Sequence, residues 1–266
     1  MLGIAISCAS ERGQRASNED QVRVCREGAQ WLAVLADGAG GHRGGAEAAR
    51  RTVEHVPQAL QGQGVRFAPD ALTNAVIATH RHVRSGQQEG GSSGRMHSTL
   101  VVLWIDAEGG RALWSHVGDS RLYRVRRGAL RLLTSDDSLV QRMVDAGLLT
   151  HAQALVHPYR NQLVAALGIE GEVEPHTLPD AAPLEPGDAF LLCSDGWWGT
   201  LDDACILASL GDADSPQEWL QAMQHCIEAR AQEHQDNFSA IAAWVGQRVE
   251  VVQTERADEQ AWSGIA

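Results

Sequence analysis

The order of elements in this chain predicts an α+β fold. Two antiparallel β-sheets pack together, flanked by helix pairs, as an α-β-β-α sandwich with an inserted flap. Two observations lead there. Strand-length runs follow one another across the tight turn signals Glu27-Gly28, Glu108-Gly109-Gly110 and Arg127-Gly128, connections that suit antiparallel hairpins and are too short for βαβ crossovers. Amphipathic helical stretches interrupt the strands, and elements with one apolar face must bury it in another layer.

In chain order, short apolar or alternating runs predict strands at 4–8, 22–26, 31–36, 98–105, 112–117, 122–126, 130–133, 189–193 and 240–245. The segment 45–60 places Ala46, Ala49, Val53, Val56 and Leu60 on one helical face. A Pro-Asp start at Pro69 opens a helix over 69–85. The Gly/Ser-rich stretch 87–95 reads as a mobile loop. Within 137–183, helical patterns at 139–146 and 161–167 sit among loops, which reads as a flap inserted in the main domain. Ser215-Pro-Gln-Glu218 has the capping-box spacing and starts a helix over 215–232. The domain is expected over 1–246, followed by a polar tail, 247–266, that opens with a strand pattern at 248–252.

Composition narrows the chemistry. Of 266 residues, 44% are apolar, enough for a sizeable core. The formal charge is −12, so binding to a nucleic-acid backbone is not expected. Every one of the 22 basic residues is Arg, which removes Schiff-base enzymes and phosphate loops that need a GK[ST] lysine. The five cysteines are scattered and lack CxxC spacing, so neither a disulfide framework nor a zinc knuckle is expected. None has Arg six residues later, as a cysteine phosphatase requires. No apolar run reaches the length of a membrane span and no basic leader opens the chain, so a cytoplasmic monomer is expected.

Five acidic signatures stand where strands meet loops: Arg15-Ala-Ser-Asn18-Glu19-Asp20, Asp37-Gly38-Ala39-Gly40-Gly41-His42, Gly118-Asp119-Ser120-Arg121, Ser194-Asp195-Gly196 and Asp236-Asn237-Phe238-Ser239. A single Asp-Gly is most often only a turn. Five in this arrangement need one explanation, and oxygen donors without His or Cys partners suit Mg²⁺ or Mn²⁺. A rigid sheet edge is a place where such a site can be assembled from distant segments.

In this order and spacing, the motifs RxxNED, DGxGGH, VGDSR, SDG and DNxSA resemble the metal-dependent protein phosphatases of the PP2C type, over 4–245. The resemblance implies that Asp37 bridges two divalent cations, Mn²⁺ or Mg²⁺. Asp195 and Asp236 complete one position; Glu19 and the Gly38 carbonyl serve the other. It further implies that Arg15 holds the substrate phosphate, that Asp119 with Asp195 makes a weaker third metal position, and that Asp20 and Ser98 support the ligands. A water shared by two cations loses a proton near neutral pH. That hydroxide would attack phosphoserine or phosphothreonine in line while Arg15 forks onto the phosphoryl oxygens.

Two positions depart from the pattern. Asp137, in Thr134-Ser-Asp-Asp-Ser138, stands where His is usual, and Ala39 stands where some relatives carry a His suspected as general acid. His42 reads as a helix-start residue, Met96-His97-Ser98-Thr99 as the family's small-hydroxyl motif, and 157–161 as the start of a second flap helix, with Arg160 a solvated side chain. Trp197-Trp198 after SDG and the flap sequence Ser-Leu-Val-Gln-Arg-Met-Val-Asp-Ala-Gly from Ser138 are similar to phosphatases of bacterial type VI secretion. That likeness implies a phosphorylated kinase or forkhead-associated scaffold as substrate. The alternatives are a catalytically weak regulatory binding module on the same fold, against which the full acidic set argues, and a different metal hydrolase, whose sites usually recruit several His ligands.

Overall fold

Twelve short strands and seven helices account for the described residues of this computed structural model, which are 1–39, 43–61, 65–87, 96–230 and 235–246. One sheet runs β1 (Ile4–Glu11), β12 (Phe238–Val245), β11 (Ala189–Cys193), β7 (Arg121–Arg126), β8 (Ala129–Leu132). The other runs β10 (Ala182–Pro183), β6 (Arg111–Val117), β5 (Leu100–Asp106), β3 (Gln30–Ala39), β2 (Asp20–Glu27). Two short strands attach beside it, β4 (His97–Ser98) on β3 and β9 (His176–Thr177) on β6. All described pairings are antiparallel.

Helices α1 (Arg43–Leu60) and α2 (Pro69–Ser85) cover the second sheet. On the first sheet lie α6 (Asp203–Gly211) and α7 (Pro216–Arg230). The central strands are therefore buried on both faces, and strand alternation sorts them into two cores. Along β3, Ala33 and Leu35 face the other sheet, whereas Val34 and Ala36 face α1 and α2. Along β12, Ile241 and Ala243 enter the inter-sheet core, whereas Ala240 and Ala242 meet Trp219 and Met223. Two-sided burial explains why these strands read as near-continuous apolar runs.

Several expectations change. The strand expected over 98–105 breaks at Thr99, whose hydroxyl and N–H are both engaged by Asp37. The helix expected over 161–167 does not form, and 157–161 is a turn that follows a helix instead of starting one. Its apolar residues are periodic, but their backbone groups are used elsewhere. Leu167 exchanges hydrogen bonds with Ser98, and Val164 N–H reaches the Asp137 carbonyl. The next residue, Gly168, has φ +84°, and a Cβ there would lie 2.1 Å from the Met96 carbonyl oxygen.

The flap stretch instead carries α3 (Leu139–Asp145) and α4 (His151–Leu155), the latter started by a Thr150/Gln153 capping box. Its far end returns as β9 and β10 to lengthen the sheet beyond β6. At α7 the Ser215 hydroxyl accepts from Glu218 N–H, while the Glu218 carboxylate reaches back to the Asp214 N–H, one residue beyond the expected partner. No helix among the described residues is long and apolar enough to cross a membrane. The expectations for His42, for most of the 87–95 loop and for the 247–266 tail lie outside the described residues.

Candidate active site

The pairing of β2 with β3 sets Asp20 directly opposite Asp37, a like-charge juxtaposition that costs stability unless something neutralises it. Asp195 joins them from α5 (Asp195–Trp198), a single turn that begins two residues past β11. Asp119 comes from the β6–β7 turn, and Asp236 from just before β12. These carboxyls act on one another. Burial first, then the charges of Asp20, Asp195, Asp119 and Asp236, hold the Asp37 carboxyl well above the ordinary range. Burial followed by repulsion from Asp195 does the same to Asp119. Asp20 is pushed up to about 7, mainly by burial. Asp195 rises to about 6, again mainly by burial and then Asp236, opposed by hydrogen bonds from the Gly196 N–H and from Asp37. Buried carboxyls that raise one another's proton affinity are ones a cation would stabilise.

The supports are polar and buried. Ser194, beside β11, donates its hydroxyl to Asp20 Oδ2 at 2.7 Å, a bond that crosses from one sheet to the other. Thr99 Oγ1 accepts the Asp37 N–H at 2.9 Å and meets Ser120 Oγ at 2.7 Å. Ser98 Oγ bonds the Thr99 carbonyl instead, so of these two hydroxyls it is that of Thr99 that touches the Asp37 backbone. Asn237 binds the N-terminal loop: its Oδ1 accepts from Glu19 N–H at 2.9 Å, and its Nδ2 donates to the Arg12 and Ser17 carbonyls at 2.7 and 2.9 Å. At Gly13, φ +60°, a Cβ would stand 2.2 Å from the Asp236 carbonyl oxygen. This close approach, possible for glycine, seats Arg15, whose guanidinium donates to Asp236 Oδ2 at 2.5 Å. Arg15 is thus paired with a carboxylate of the cluster, and with 60% of its side chain exposed it remains reachable.

Three features test whether divalent cations fit. Asp20 Oδ1 is buried and lacks a hydrogen-bond partner. The Glu19 carboxylate and the Gly38 carbonyl lie side by side against the first turn of α1. A Cβ added to Gly45 would come within 2.1 Å of Glu19 Oε2 and 2.8 Å of the Gly38 oxygen. The donors are oxygens, the set preferred by Mg²⁺ and Mn²⁺. Among the described residues no three His, Cys, Asp or Glu side chains are gathered closely enough to hold a metal ion as they stand; the carboxylates act on one another through charge. The donor chemistry suits hard cations: Asp37, Asp195 and Asp236 act on one another through charge, and Glu19 with the Gly38 carbonyl stands beside them. Gly45→Ala is expected to displace the Glu19 carboxylate and weaken Mn²⁺ binding at least about tenfold, as disturbed ligand support does; calorimetric titration checks this.

Asp137, the departure from His, takes the Gly118 N–H on Oδ2 at 2.9 Å and meets His176 Nε2 with Oδ1 at 2.9 Å. The His176 ring stacks on buried His116 at 4.8 Å. An imidazole thus stands beside this position from β9. Sequence reasoning missed Gly45, Ser194, Asn237 and Thr99 as individual supports, although the last three lie inside the motifs that were read.

Comparison with known proteins agrees with this architecture. A family model described as protein phosphatase 2C matches residues 9–240. The serine/threonine protein phosphatase PstP of Mycobacterium tuberculosis is 36% identical over 217 residues, covering 79% of this chain and 39% of PstP. The PstP catalytic domain, solved with two manganese ions, superposes with TM-score 0.77 at 29% identity, covering 93% of this chain and all of that one (100%). The S. agalactiae serine/threonine phosphatase gives TM-score 0.82 at 30% identity over 91% and 99% of the two chains. PppA of Pseudomonas aeruginosa, described as a key regulatory component of T6SS, gives 0.74 at 29% identity over 91% and 97%. Motif order, sheet order and these likenesses converge: the chain belongs to the protein phosphatase 2C family of serine/threonine protein phosphatases.

Proposed function

We propose that this phosphatase works with two divalent cations, Mn²⁺ or Mg²⁺, held by Glu19, Asp37, Asp195, Asp236 and the Gly38 carbonyl. The observation that carries the reading is the set of carboxyls that raise one another's proton affinity at the end of the two sheets. A solved relative, the PstP catalytic domain, contains two manganese ions. When bound, such cations supply Lewis acidity, activating a water and shielding charge on phosphoryl oxygens.

The chain's own residues do the rest. Asp37, on β3, and Asp195, at the start of α5, bring ligand groups from the two sheets to one place, where each acts on the other's carboxyl. Arg15 feels the charges of Asp236, Asp195 and Glu19, chiefly Asp236. Once Asp236 is otherwise neutralised, the exposed guanidinium is free to fork onto two oxygens of the substrate phosphate and orient it for in-line attack. Asp20 and Ser194 hold the far side of the cluster. A weaker third position at Asp119 and Asp195 would sit beside this pair.

EDTA is expected to remove phosphopeptide hydrolysis and Mn²⁺ to restore it. Saturating Mn²⁺ at a hundredfold excess over Kd is expected to stabilise the fold by about 2.7 kcal/mol, read as a rise in Tm. Activity indifferent to chelation would sink the reading.

In the cell, the likeness to PppA, a key regulatory component of T6SS, supports a role in type VI secretion control; our reading is that the chain reverses kinase signalling there, with a phosphorylated kinase or forkhead-associated scaffold as substrate. A deletion strain tests it: phosphorylation of that scaffold should persist, and an unchanged phosphorylation state would count against this role.

A further inference from the structure

We propose that Trp198 is a positioning residue that fixes Asp119 relative to Asp195, and so sets how strongly that carboxylate pair takes a divalent cation. The proposal rests on the metal-dependent reading above. Trp198 closes the single turn of α5 that Asp195 opens. Its indole Nε1–H donates to the main-chain carbonyl of Asp119 at 3.0 Å. One side chain therefore ties the segment bearing one carboxylate to the segment bearing the other.

The indole is itself clamped. The Arg121 guanidinium lies 3.6 Å over its ring. Arg121 forks onto both oxygens of Asp136 at 3.0 and 2.8 Å and donates to the Tyr123 hydroxyl at 3.1 Å. With only 17% of the Arg121 side chain and 8% of Asp136 exposed, the clamp is little screened.

The turn carrying Asp119 is gripped on its other sides as well. Gly118 donates to Asp137 Oδ2 and accepts from the Asp137 N–H, and Ser120 Oγ meets Thr99 Oγ1. The backbone of 118–120 is thus held by neighbours from separate segments, and the buried Asp119 carboxyl lies within reach of the Asp195 charge. A backbone gripped this closely serves the aim of a side chain more than it serves stability.

The adjacent tryptophan supplies the contrast. Trp197 is fully buried, and its Nε1–H has no hydrogen-bond partner. Of the two indoles, Trp197 fills the core and Trp198 reaches the site. Were Trp198 filler too, a phenyl ring would replace it without consequence for cations.

The test is calorimetric titration of Mn²⁺ into metal-free protein, which needs no turnover. Wild type is expected to show a weaker binding event after the tighter ones, and Asp119→Asn to remove that event, which identifies it. Trp198→Phe keeps the aromatic packing and deletes the donor. It is expected to weaken the same event about three- to tenfold, the net effect of one lost hydrogen bond, with the tighter events unchanged. Trp197→Phe is expected to leave the isotherm as in wild type. Trp198→Leu repeats the measurement where the Phe variant does not fold. An isotherm for Trp198→Phe that superimposes on wild type, equal weakening by Trp197→Phe, or no weaker event in wild type would each overturn the proposal. Wild-type protein that binds Mn²⁺ in this pattern but hydrolyses no phosphopeptide would defeat the mechanism and leave the role of Trp198 in place.

Discussion

Asp37→Asn is expected to abolish phosphopeptide hydrolysis, by at least about a thousandfold, and at the same time to stabilise the metal-free protein. The two effects share one origin. The Asp37 carboxyl is raised well above its ordinary range by burial and by four neighbouring carboxyls, so its ionised form costs folding free energy. The sign follows from proton linkage. A carboxyl that binds its proton more tightly when folded loses stability as pH rises from its unfolded value, near 4, through its folded value. The asparagine variant is therefore expected to gain most at pH 8 in EDTA, and the gain should shrink as pH falls toward 4. Each kcal/mol recovered appears as about 2–4 °C in Tm for a chain of this size. Saturating Mn²⁺ should reverse the order, because wild type then gains binding energy that the variant lacks. A variant that is less stable than wild type in EDTA at pH 8 would show that the charge cluster is not strained.

Asn237→Ala is expected to cost about 3 kcal/mol of stability and to lower kcat/KM by at least about a hundredfold. Asn237 is buried, and its side chain makes three hydrogen bonds to the backbone of Glu19, Arg12 and Ser17. Each contributes about 1 kcal/mol net, and the orphaned groups add a desolvation cost. The kinetic loss is larger than the stability loss alone would produce, because that loop carries both Glu19 and Arg15. A displacement of about 1 Å in positioning groups is enough to cost about a hundredfold in rate. Urea unfolding and phosphopeptide kinetics measure the two separately. Loss of stability with kinetics intact would limit Asn237 to a structural role.

Much of this was legible in the sequence where one local rule decided the outcome. The helix over Pro69–Ser85 has the expected limits, since Pro and Asp mark its start and its apolar spacing continues throughout. The strands around Asp37, Asp119, Asp195 and Asp236 were readable because strand-length apolar runs are bounded by Asp-Gly, Asp-Ser or Asp-Asn punctuation. The sequence failed where tertiary pairing competes with local pattern. Residues 161–167 are apolar at helical spacing, yet Ser98 and Asp137 capture their backbone groups. Helix α6 was overlooked although Asp202 caps it by accepting from the Cys205 N–H. The acidic motifs showed which carboxylates belong together, but not which neighbours aim them. That Gly45 backs the Glu19 carboxylate, or that Ser194 rather than Ser98 spends its hydroxyl on an acidic side chain, depends on segments far apart in the chain.

Strands β3 and β12 meet face to face in the inter-sheet core through Ala33, Leu35, Ile241 and Ala243. Asp37 rides on one of them and Asp236 lies two residues before the other. On the proposed reading, the acidic end of the sandwich would work like the jaws of a caliper, its opening set by how thickly the interior is filled. Packed cores pass small volume changes onward instead of absorbing them. Enlarging Ala243 by a few methyl groups would prise the jaws apart without touching a single polar atom, and catalysis would register the change before the overall shape did.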